Sequence, residues 1–387
     1  MKKVHIAFVN VPLGSGVNAT LPLVETLVRR GHKVTYAISE PYLSRVADVG
    51  AEVIEYKFGA LNSNNKEPDP FCRIAINTLP RTRVVYERTA PDLIVYDYVA
   101  LAGRILAKQW KVPAVKISMD HAFTKEHLSA QIGIPQLRER VLAHSMAADR
   151  FLTNHGVDSQ DYIFHREILN VFPFPREFEP CEGSLNESCI HAGRCAGEQA
   201  GFGKWSKRQP DENPTILVAP SISHVRGPEY FRMCIAAFTN TRCRVVLSIN
   251  GDDVDVNELQ PLPPNFEIVQ RTSYTRILPY VEAVVGMGGY ITASEALYHG
   301  VPMVMTSCGT AELECLAGNL ERLGIGIHLQ SDNTNPISLR TAVEEVLLSD
   351  RIQGKVRRLQ RQVQRQPGAE EIANRIEDIF LERNRSQ

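Results

Sequence analysis

One stretch of the chain, residues 283–326, constrains the fold more than any other. An apolar run in it ends at Gly286 and is followed by the glycine pair Gly288 and Gly289. A helical pattern then begins near Thr292, and a second short apolar run comes after it. A strand, a glycine turn, a helix and another strand in this order are typical of a βαβ unit, so they predict an α/β fold.

The glycine pair also suits an anionic ligand. Where a strand leads into a helix through glycines, exposed backbone amides and the positive end of the helix dipole point outward together, and this arrangement binds phosphate. Thr292 would contribute a hydroxyl, and Glu295, one turn later, would accept hydrogen bonds from ribose hydroxyls. A tight turn that binds no ligand accounts for the same residues, because a glycine pair before a helix is a weak motif.

The N-terminal part of the chain shows the same alternation. Strands are predicted at residues 4–11, 33–38, 52–56, 91–98 and 112–118, helices at 18–31 and 41–50, and a loop at 13–16. This order predicts a doubly wound α/β domain, in which ligands bind beyond the carboxyl ends of the strands. Asp97 and the pair Asp120 and His121 come at such strand ends. Each has a plainer interpretation: Asp97 would cap the following helix, and His121 would hydrogen-bond locally.

The length of the chain predicts two domains, since 387 residues exceed what one hydrophobic core usually holds. Residues 1–175 are predicted to form an N-terminal domain and residues 214–366 a C-terminal domain. Between them, residues 176–213 lack periodicity and are rich in Pro, Gly, Ser, Lys and Arg, which is typical of a linker. Residues 367–387 are predicted as a closing helix.

Composition argues against several kinds of partner. A net charge of −1 gives no reason to expect a polyanion, and the basic run 355–365 has Leu and Val at helical spacing, as a solvated helix face does. The eight cysteines form no CxxC pair, so we expect reduced thiols and no metal site. No segment approaches the roughly 20 apolar residues of a membrane span, and the N-terminal run is interpreted as a strand, so we expect a cytoplasmic protein. The oligomeric state stays open, a homodimer included.

The order of elements along the whole chain, together with residues 283–326, resembles the two-Rossmann (GT-B) glycosyltransferases that use nucleotide sugars, especially the bacterial macrolide and flavonoid group. The family pattern reads H-G-G, two residues, Ser/Thr, two residues, E-A-L, then G-V-P, an acidic-Gln pair and L-G-x-G. The matching residues here are Gly288, Gly289, Thr292, Glu295, Ala296, Leu297, Gly300, Val301, Pro302, Leu323, Gly324 and Gly326. Met287 takes the place of the family histidine, which hydrogen-bonds the donor pyrophosphate. Glu312 and Leu313 take the place of the acidic-Gln pair, which holds the sugar hydroxyls.

The resemblance extends to the N-terminal domain. The family loop commonly reads Gly-His-Val-Asn-Pro-Thr, and residues 15–20 of this chain read Ser-Gly-Val-Asn-Ala-Thr. Gly16 therefore replaces the family histidine, the general base that deprotonates the acceptor hydroxyl, and Asp97 corresponds to the aspartate that orients this histidine. By this resemblance Gly16, Asn18 and Asp120 are predicted to bind the acceptor. Asp97 or His121 is predicted to take over the proton transfer.

The resemblance marks further donor-binding residues in the C-terminal domain. The loop 220–224 occupies the place of the family's Ser-x-Gly-Thr, so Ser221 and Ser223 are predicted to hold donor phosphate. His224 is predicted to supply the missing hydrogen bond to the pyrophosphate, and an exposed loop histidine is the alternative. Tyr274 falls where family residues lie against the nucleobase, on which its ring would stack. A tyrosine packed in the domain core is the alternative.

Taken together, the resemblance implies two Rossmann-like domains that face a cleft, with the acceptor on the first, the donor on the second and the last helix crossing back to the first. It implies metal-independent transfer of a sugar from UDP or dTDP to a small-molecule acceptor, with inversion at C1 and no cofactor besides the nucleotide sugar as co-substrate. Because three polar residues of the family are replaced, by Gly16, Met287 and Leu313, two alternatives stay open. One is a binding or auxiliary protein without turnover, and the other is an enzyme that couples an unusual activated substrate.

Overall fold

The computed structural model describes residues 3–57, 70–119, 146–157, 165–179, 187–195, 205, 213–220, 228–249, 254–270, 272–306 and 311–385, and the statements below concern these residues. The chain divides into two compact units. The first unit comprises Met1–Gly197 and Pro367–Gln387, and the second comprises Glu198–Gln366. Each unit contains one parallel sheet connected through helices, which confirms the predicted α/β class with two Rossmann-like domains.

The first unit is built on a seven-stranded sheet with the order β3-β2-β1-β4-β5-β6-β7. Its strands are β1 (His5–Val9), β2 (Lys33–Ile38), β3 (Glu52–Glu55), β4 (Leu93–Asp97), β5 (Ala114–Ile117), β6 (Leu169–Phe172) and β7 (Cys189–His191), and all neighbours pair in parallel. Its labelled helices are α1 (Gly14–Arg29), α2 (Leu43–Asp48), α3 (Pro70–Tyr86) and α4 (Leu101–Trp110), and residues 146–154 are also helical.

The second unit is built on a six-stranded parallel sheet with the order β10-β9-β8-β11-β12-β13. Its strands are β8 (Thr215–Val218), β9 (Arg244–Ile249), β10 (Phe266–Gln270), β11 (Ala283–Gly286), β12 (Met303–Thr306) and β13 (Gly326–Leu329). Its helices are α5 (Glu229–Phe238), α6 (Tyr274–Ile277), α7 (Tyr290–Tyr298), α8 (Ala311–Leu323), α9 (Pro336–Leu348) and α10 (Asp350–Val363). Across the described ranges, no helix is long and apolar enough to cross a membrane.

The central strands of both sheets form the cores of their units. Every residue of β1, β4, β8 and β11 is buried. Helices cover both faces of a doubly wound parallel sheet, so its inner strands are continuous apolar runs rather than alternating ones. This burial explains why the sequence pattern located β1 and β4 to within two residues at each end.

The first helix begins earlier than the sequence pattern predicts. Residues 13–16 are predicted as a loop, whereas α1 starts at Gly14, and the amide of Val17 already donates to the carbonyl of Leu13 at 3.1 Å. The first amides of a helix have no intrahelical partner, so glycine, a poor helix former in the interior, is tolerated in the first turn. Gly16 therefore lies in the first turn of α1 rather than in a loop.

The sequence pattern also missed β7, which falls within the range predicted as linker. Three residues are too few to show a periodicity of two. The strand exists because it extends the sheet: it pairs in parallel with β6, and the amide of Asn170 donates to the carbonyl of Ser188 at 2.7 Å.

The last helix, α11 (Ala369–Arg385), belongs to the first unit and packs against α1. Glu377 accepts hydrogen bonds from Arg30 at 2.7 Å and from the ring of His32 at 3.0 Å. Glu370 pairs with Arg29 and Arg30. These ion pairs hold the end of the chain on the first unit.

Candidate functional site

Both sheets have a topological switch point, where strands on either side connect in opposite directions along the sheet. In the first unit it lies between β1 and β4, because β2 and β3 lie on one side of β1 and β4 to β7 on the other. In the second unit it lies between β8 and β11 for the same reason. Ligands of doubly wound sheets bind in the crevice beyond the strand ends at such points. Gly16 and Asn18, predicted to bind the acceptor, follow β1. Gly288 and Gly289, predicted to bind the pyrophosphate, follow β11.

Asp97 and Gly16 meet at the switch point of the first unit. Asp97 is the last residue of β4 and only 4% exposed. Its Oδ2 lies 2.7 Å from the position that a Cβ would take on Gly16. The carboxylate therefore occupies the space next to α1 into which any side chain at residue 16 would project.

The other carboxylate oxygen of Asp97 makes a local bond. The amide of Val99 donates to Oδ1 at 3.0 Å, which closes a turn after β4. The helix that follows, α4, begins at Leu101 and has Ala100 as its N-cap residue, so Asp97 does not cap it in the usual sense. Oδ1 accepts this local hydrogen bond, and Oδ2 is the oxygen that faces Gly16.

Beneath Gly16 lies a buried chain of hydroxyl and amide groups. The amide nitrogen of Asn10 donates to the hydroxyl of Tyr36 at 2.6 Å, and this hydroxyl lies 2.7 Å from that of Thr20. Thr20 in turn donates to the carbonyl of Gly16 at 2.9 Å. Burial raises the pKa of Tyr36 well above its ordinary value, so its hydroxyl stays protonated and can donate to Thr20. The chain holds the first turn of α1 against the strand ends.

This network includes residues that sequence reasoning missed. Asn10 carried a usable signal, since a polar residue that ends a buried apolar run at a switch point has to be hydrogen-bonded. Its backbone carbonyl also accepts from the hydroxyl of Tyr56 at 2.8 Å. Tyr36 gave no such signal, because a tyrosine inside an apolar strand is usually interpreted as a residue of the hydrophobic core.

Asn18 lies on α1, two residues after Gly16, and accepts a hydrogen bond from an arginine. Arg45, on α2, donates from Nη2 to the Oδ1 of Asn18 at 2.8 Å. The guanidinium carbon lies 5.7 Å from the centre of the Tyr42 ring, within the range of a cation–π contact. Burial lowers the pKa of Arg45 from its ordinary value. Sequence reasoning did not single out Arg45, since its contact to Asn18 depends on how α2 packs beside α1.

At the second switch point the strand ends approach each other very closely. A Cβ on Gly286 would lie 2.3 Å from the carbonyl oxygen of Ala219, so only glycine fits at the end of β11. The amide of Ala219 donates to the carbonyl of Val285 at 2.8 Å. The ends of β8 and β11 therefore approach each other through backbone atoms, with no room for a side chain at Gly286.

The glycine pair Gly288 and Gly289 connects this point to α7. Gly289 is the N-cap residue, which has no side chain to cap the first amides, and the first turn contains no acidic residue. A Cβ on Gly289 would meet nothing within 4 Å, so space is open there. A Cβ on Gly288 would lie 2.9 Å from the side chain of Thr292, which therefore stands over the turn. Such a helix start, with backbone amides directed outward, is suited to an anion.

The remaining described residues of the second unit differ in exposure. Met287 is 7% exposed and Glu295 4% exposed, so both side chains are largely buried. Tyr274, at the start of α6, is partly exposed and does not belong to the buried core. On α5, the hydroxyl of Tyr230 is 3.1 Å from that of Thr306 at the end of β12. Burial raises the pKa of Tyr230 well above its ordinary value, with Tyr274 acting in the same direction.

Several predicted site residues lie outside the described residues: Asp120, His121, Ser221, Ser223 and His224. Glu312 lies in the first turn of α8, but its side chain is outside the described part of the structure. Within the described ranges no group of three or more His, Cys, Asp or Glu side chains could hold a metal ion.

Comparisons with known proteins agree on one family. Residues 233–379 match the model of the erythromycin biosynthesis protein CIII-like C-terminal domain. The NDP-glycosyltransferase YjiC of Bacillus licheniformis is 30% identical over 393 residues, which cover 96% of this chain and 97% of that protein. The solved kitacinnamycin glycotransferase has a TM-score of 0.83 at 27% identity and covers 98% of this chain and 99% of its own. The calicheamicin glycosyltransferase CalG4 has a TM-score of 0.77 at 29% identity, with 98% of each chain covered.

Proposed function

Because the chain belongs to the nucleotide-sugar-dependent glycosyltransferases of the bacterial macrolide and flavonoid group, we propose that it transfers a sugar from a UDP- or dTDP-linked donor to a small-molecule acceptor. The transfer inverts the configuration at C1 and uses neither a metal ion nor a further cofactor. The acceptor binds at the β1/β4 switch point of the first unit. The nucleotide sugar binds at the β8/β11 switch point of the second.

The observation that carries this proposal is the start of α7. Gly288 and Gly289 lead from the end of β11 into the helix, no side chain caps the first amides, and space is open at Gly289. The outward amides and the helix dipole stabilise the diphosphate, whose negative charge increases as the bond to the sugar breaks. The partly exposed Tyr274 is assigned to the nucleobase.

Asp97 is proposed as the base. With no side chain on Gly16, the Oδ2 of Asp97 lies directly beside α1, where the family has a histidine between aspartate and acceptor. Asp97 accepts the proton of the acceptor hydroxyl as its oxygen attacks C1 of the sugar. The new bond forms between this oxygen and C1 while the bond from C1 to the diphosphate oxygen breaks, and the nucleoside diphosphate leaves with that electron pair.

One observation favours a second candidate, a protein that binds nucleotide sugars without turning them over. At the family's histidine position stands Met287, which is largely buried and has no proton to donate to the pyrophosphate. A weaker hold on the leaving group would raise the barrier to transfer without preventing binding.

Calorimetric titration with UDP, dTDP, UDP-glucose and dTDP-glucose tests the donor site, followed by transfer assays with phenolic acceptors. We expect micromolar binding of at least one nucleotide and weaker binding by Glu295→Gln. The matched control is Glu345→Gln, which changes an exposed glutamate on α9. Binding followed by transfer supports the proposed enzyme, and binding without transfer to any acceptor supports the second candidate. No binding of any of the four would overturn both.

A further inference from the structure

The acceptor side of the first unit contains a cation that no part of the proposed reaction uses. Arg45 is half-buried and reaches from α2 onto α1, where it bonds Asn18 at 2.8 Å. Tyr42 lies under the guanidinium, and the Tyr42 hydroxyl is 3.3 Å from the position of a Cβ on Gly14. Arg45 and Tyr42 therefore lie over the same first turns of α1 that carry Gly16.

Opposite charges flank this part of α1. Burial is the main cause of the raised pKa of Tyr36, but Asp97 raises it further while Arg45 lowers it. The geometry agrees: Asp97 Oδ2 lies 2.7 Å from the Cβ position of Gly16, and Arg45 donates to Asn18, two residues further along α1, at 2.8 Å. The carboxylate lies on the β4 side of α1, since it belongs to that strand. The guanidinium comes from α2, which follows β2 on the other side of β1.

A guanidinium in this position suits a particular kind of ligand. Arginine presents its donors in a planar fork that matches a carboxylate, and contact with an aromatic ring fixes the plane of the fork. One nitrogen of Arg45 is oriented by Asn18 and the plane is oriented by Tyr42. Partial removal from water strengthens the attraction of such a cation for an anion.

We propose that Arg45 selects acceptors that carry a carboxylate, so that the natural acceptor is an acidic, hydroxyl-bearing small molecule. The carboxylate pairs with the guanidinium at Asn18, and the hydroxyl that receives the sugar is directed to Asp97. This inference rests on the proposed function, because it takes the first switch point as the acceptor site.

A purely structural role of Arg45 is distinguishable from this one. If the guanidinium only held Asn18 in place, its loss would weaken all acceptors alike. If it binds a carboxylate, its loss weakens acids and leaves the corresponding esters less affected. The readout is therefore the ratio of affinities for an acid and its own methyl ester.

The experiment is a calorimetric titration of the full-length protein, without donor, with three acids and their methyl esters. The acids are 4-hydroxybenzoate, 4-hydroxycinnamate and 3-(4-hydroxyphenyl)propanoate. We expect the protein to bind at least one acid about tenfold or more tightly than its ester, since hydrogen bonds to a charged group exceed neutral ones. Arg45→Gln should bring the ratio close to one, and Arg45→Lys should retain part of it.

Arg83→Gln is the matched control. Arg83 also donates to a side-chain amide oxygen, that of Gln109 at 2.8 Å, but it lies on α3, and this hydrogen bond is exposed to solvent. Equal binding of acids and esters, no binding of any acid, or a preference that survives Arg45→Gln would each overturn the proposal. Because no donor is present, these outcomes do not depend on the nucleotide titration. A protein that binds nucleotide sugars yet shows no preference for acids would refute this inference alone.

Discussion

The replacement of Asp97 by asparagine separates its chemical role from its structural one. Asparagine keeps an oxygen at the Oδ1 position, so the 3.0 Å hydrogen bond from Val99 is retained. The new amide nitrogen occupies the Oδ2 position, and it fits because Gly16 has no side chain there. We therefore expect the free energy of unfolding to change by no more than about 1 kcal/mol.

The effect on transfer should be much larger. General base catalysis typically contributes about 10²–10⁴-fold, which corresponds to roughly 3–5 kcal/mol of activation free energy. We expect Asp97→Asn to lower kcat by this factor with a weakly acidic acceptor, and by less with a more acidic phenol, which needs less help to lose its proton. The affinity for the nucleotide should stay the same, because the proposed donor residues belong to the other unit.

The assay measures kcat for both acceptors with the nucleotide sugar identified by calorimetry, together with urea unfolding. Asp255→Asn is the matched control, since its Oδ1 also accepts from the amide two residues on, that of Asn257 at 2.9 Å, but in the second unit. If Asp97→Asn retained more than about a tenth of kcat with the weakly acidic acceptor, Asp97 would not be the base. An equal loss with both acceptors would indicate a structural role instead.

Three further outcomes are expected. Gly16→Ala places a Cβ 2.7 Å from Oδ2 of Asp97 and should displace this carboxylate, which lowers kcat by roughly 10–100-fold. The melting temperature should change little. An unaltered kcat would contradict the assignment of Asp97 as the base. Gly286→Ala places a Cβ 2.3 Å from the Ala219 carbonyl and should destabilise the protein by about 1–3 kcal/mol in urea unfolding, whereas Gly354→Ala, with nothing within 4 Å, should not destabilise it. Burial lowers the pKa of His191 from 6.5 to about 4. The unfolded chain therefore binds this proton more readily than the folded protein, so the free energy of unfolding has its full value above pH 6.5 and falls as the pH drops towards 4. Unfolding measured across this range should lose up to about 1.4 kcal/mol per pH unit, and a slope that persists in His191→Gln would refute this origin.

Much of the fold could be predicted because the dominant signals are local. The inner strands are apolar runs since both faces of a parallel sheet are covered, and this makes them visible without any partner. The βαβ unit around Gly288 and Gly289 was visible for the same reason. The start of α1 was not, because Gly14 and Gly16 read as a loop although the first turn of a helix tolerates glycine.

The candidate site was predictable only in part. The position of Asp97 at a strand end followed from the apolar run before it, and the switch-point rule then made it a candidate. Its contact with Gly16 joins residues 81 positions apart in the sequence, and no periodicity reports such a contact. The bond from Tyr230 to Thr306 and that from Arg45 to Asn18 were missed for the same reason.

By itself, the sequence determined which segments become strands and helices, since burial and backbone preference act on neighbouring residues. It also placed glycine at Gly286, where the backbone closely approaches another strand, and at Gly288 and Gly289, which lead into α7. Only the tertiary structure decided what those positions face. The packing of β4 and α2 beside α1 brings a carboxylate and a guanidinium to the same helix, because strand order and helix packing join distant segments. The chemistry of the proposed acceptor side therefore depends on the fold as a whole, and not on any single stretch of the chain.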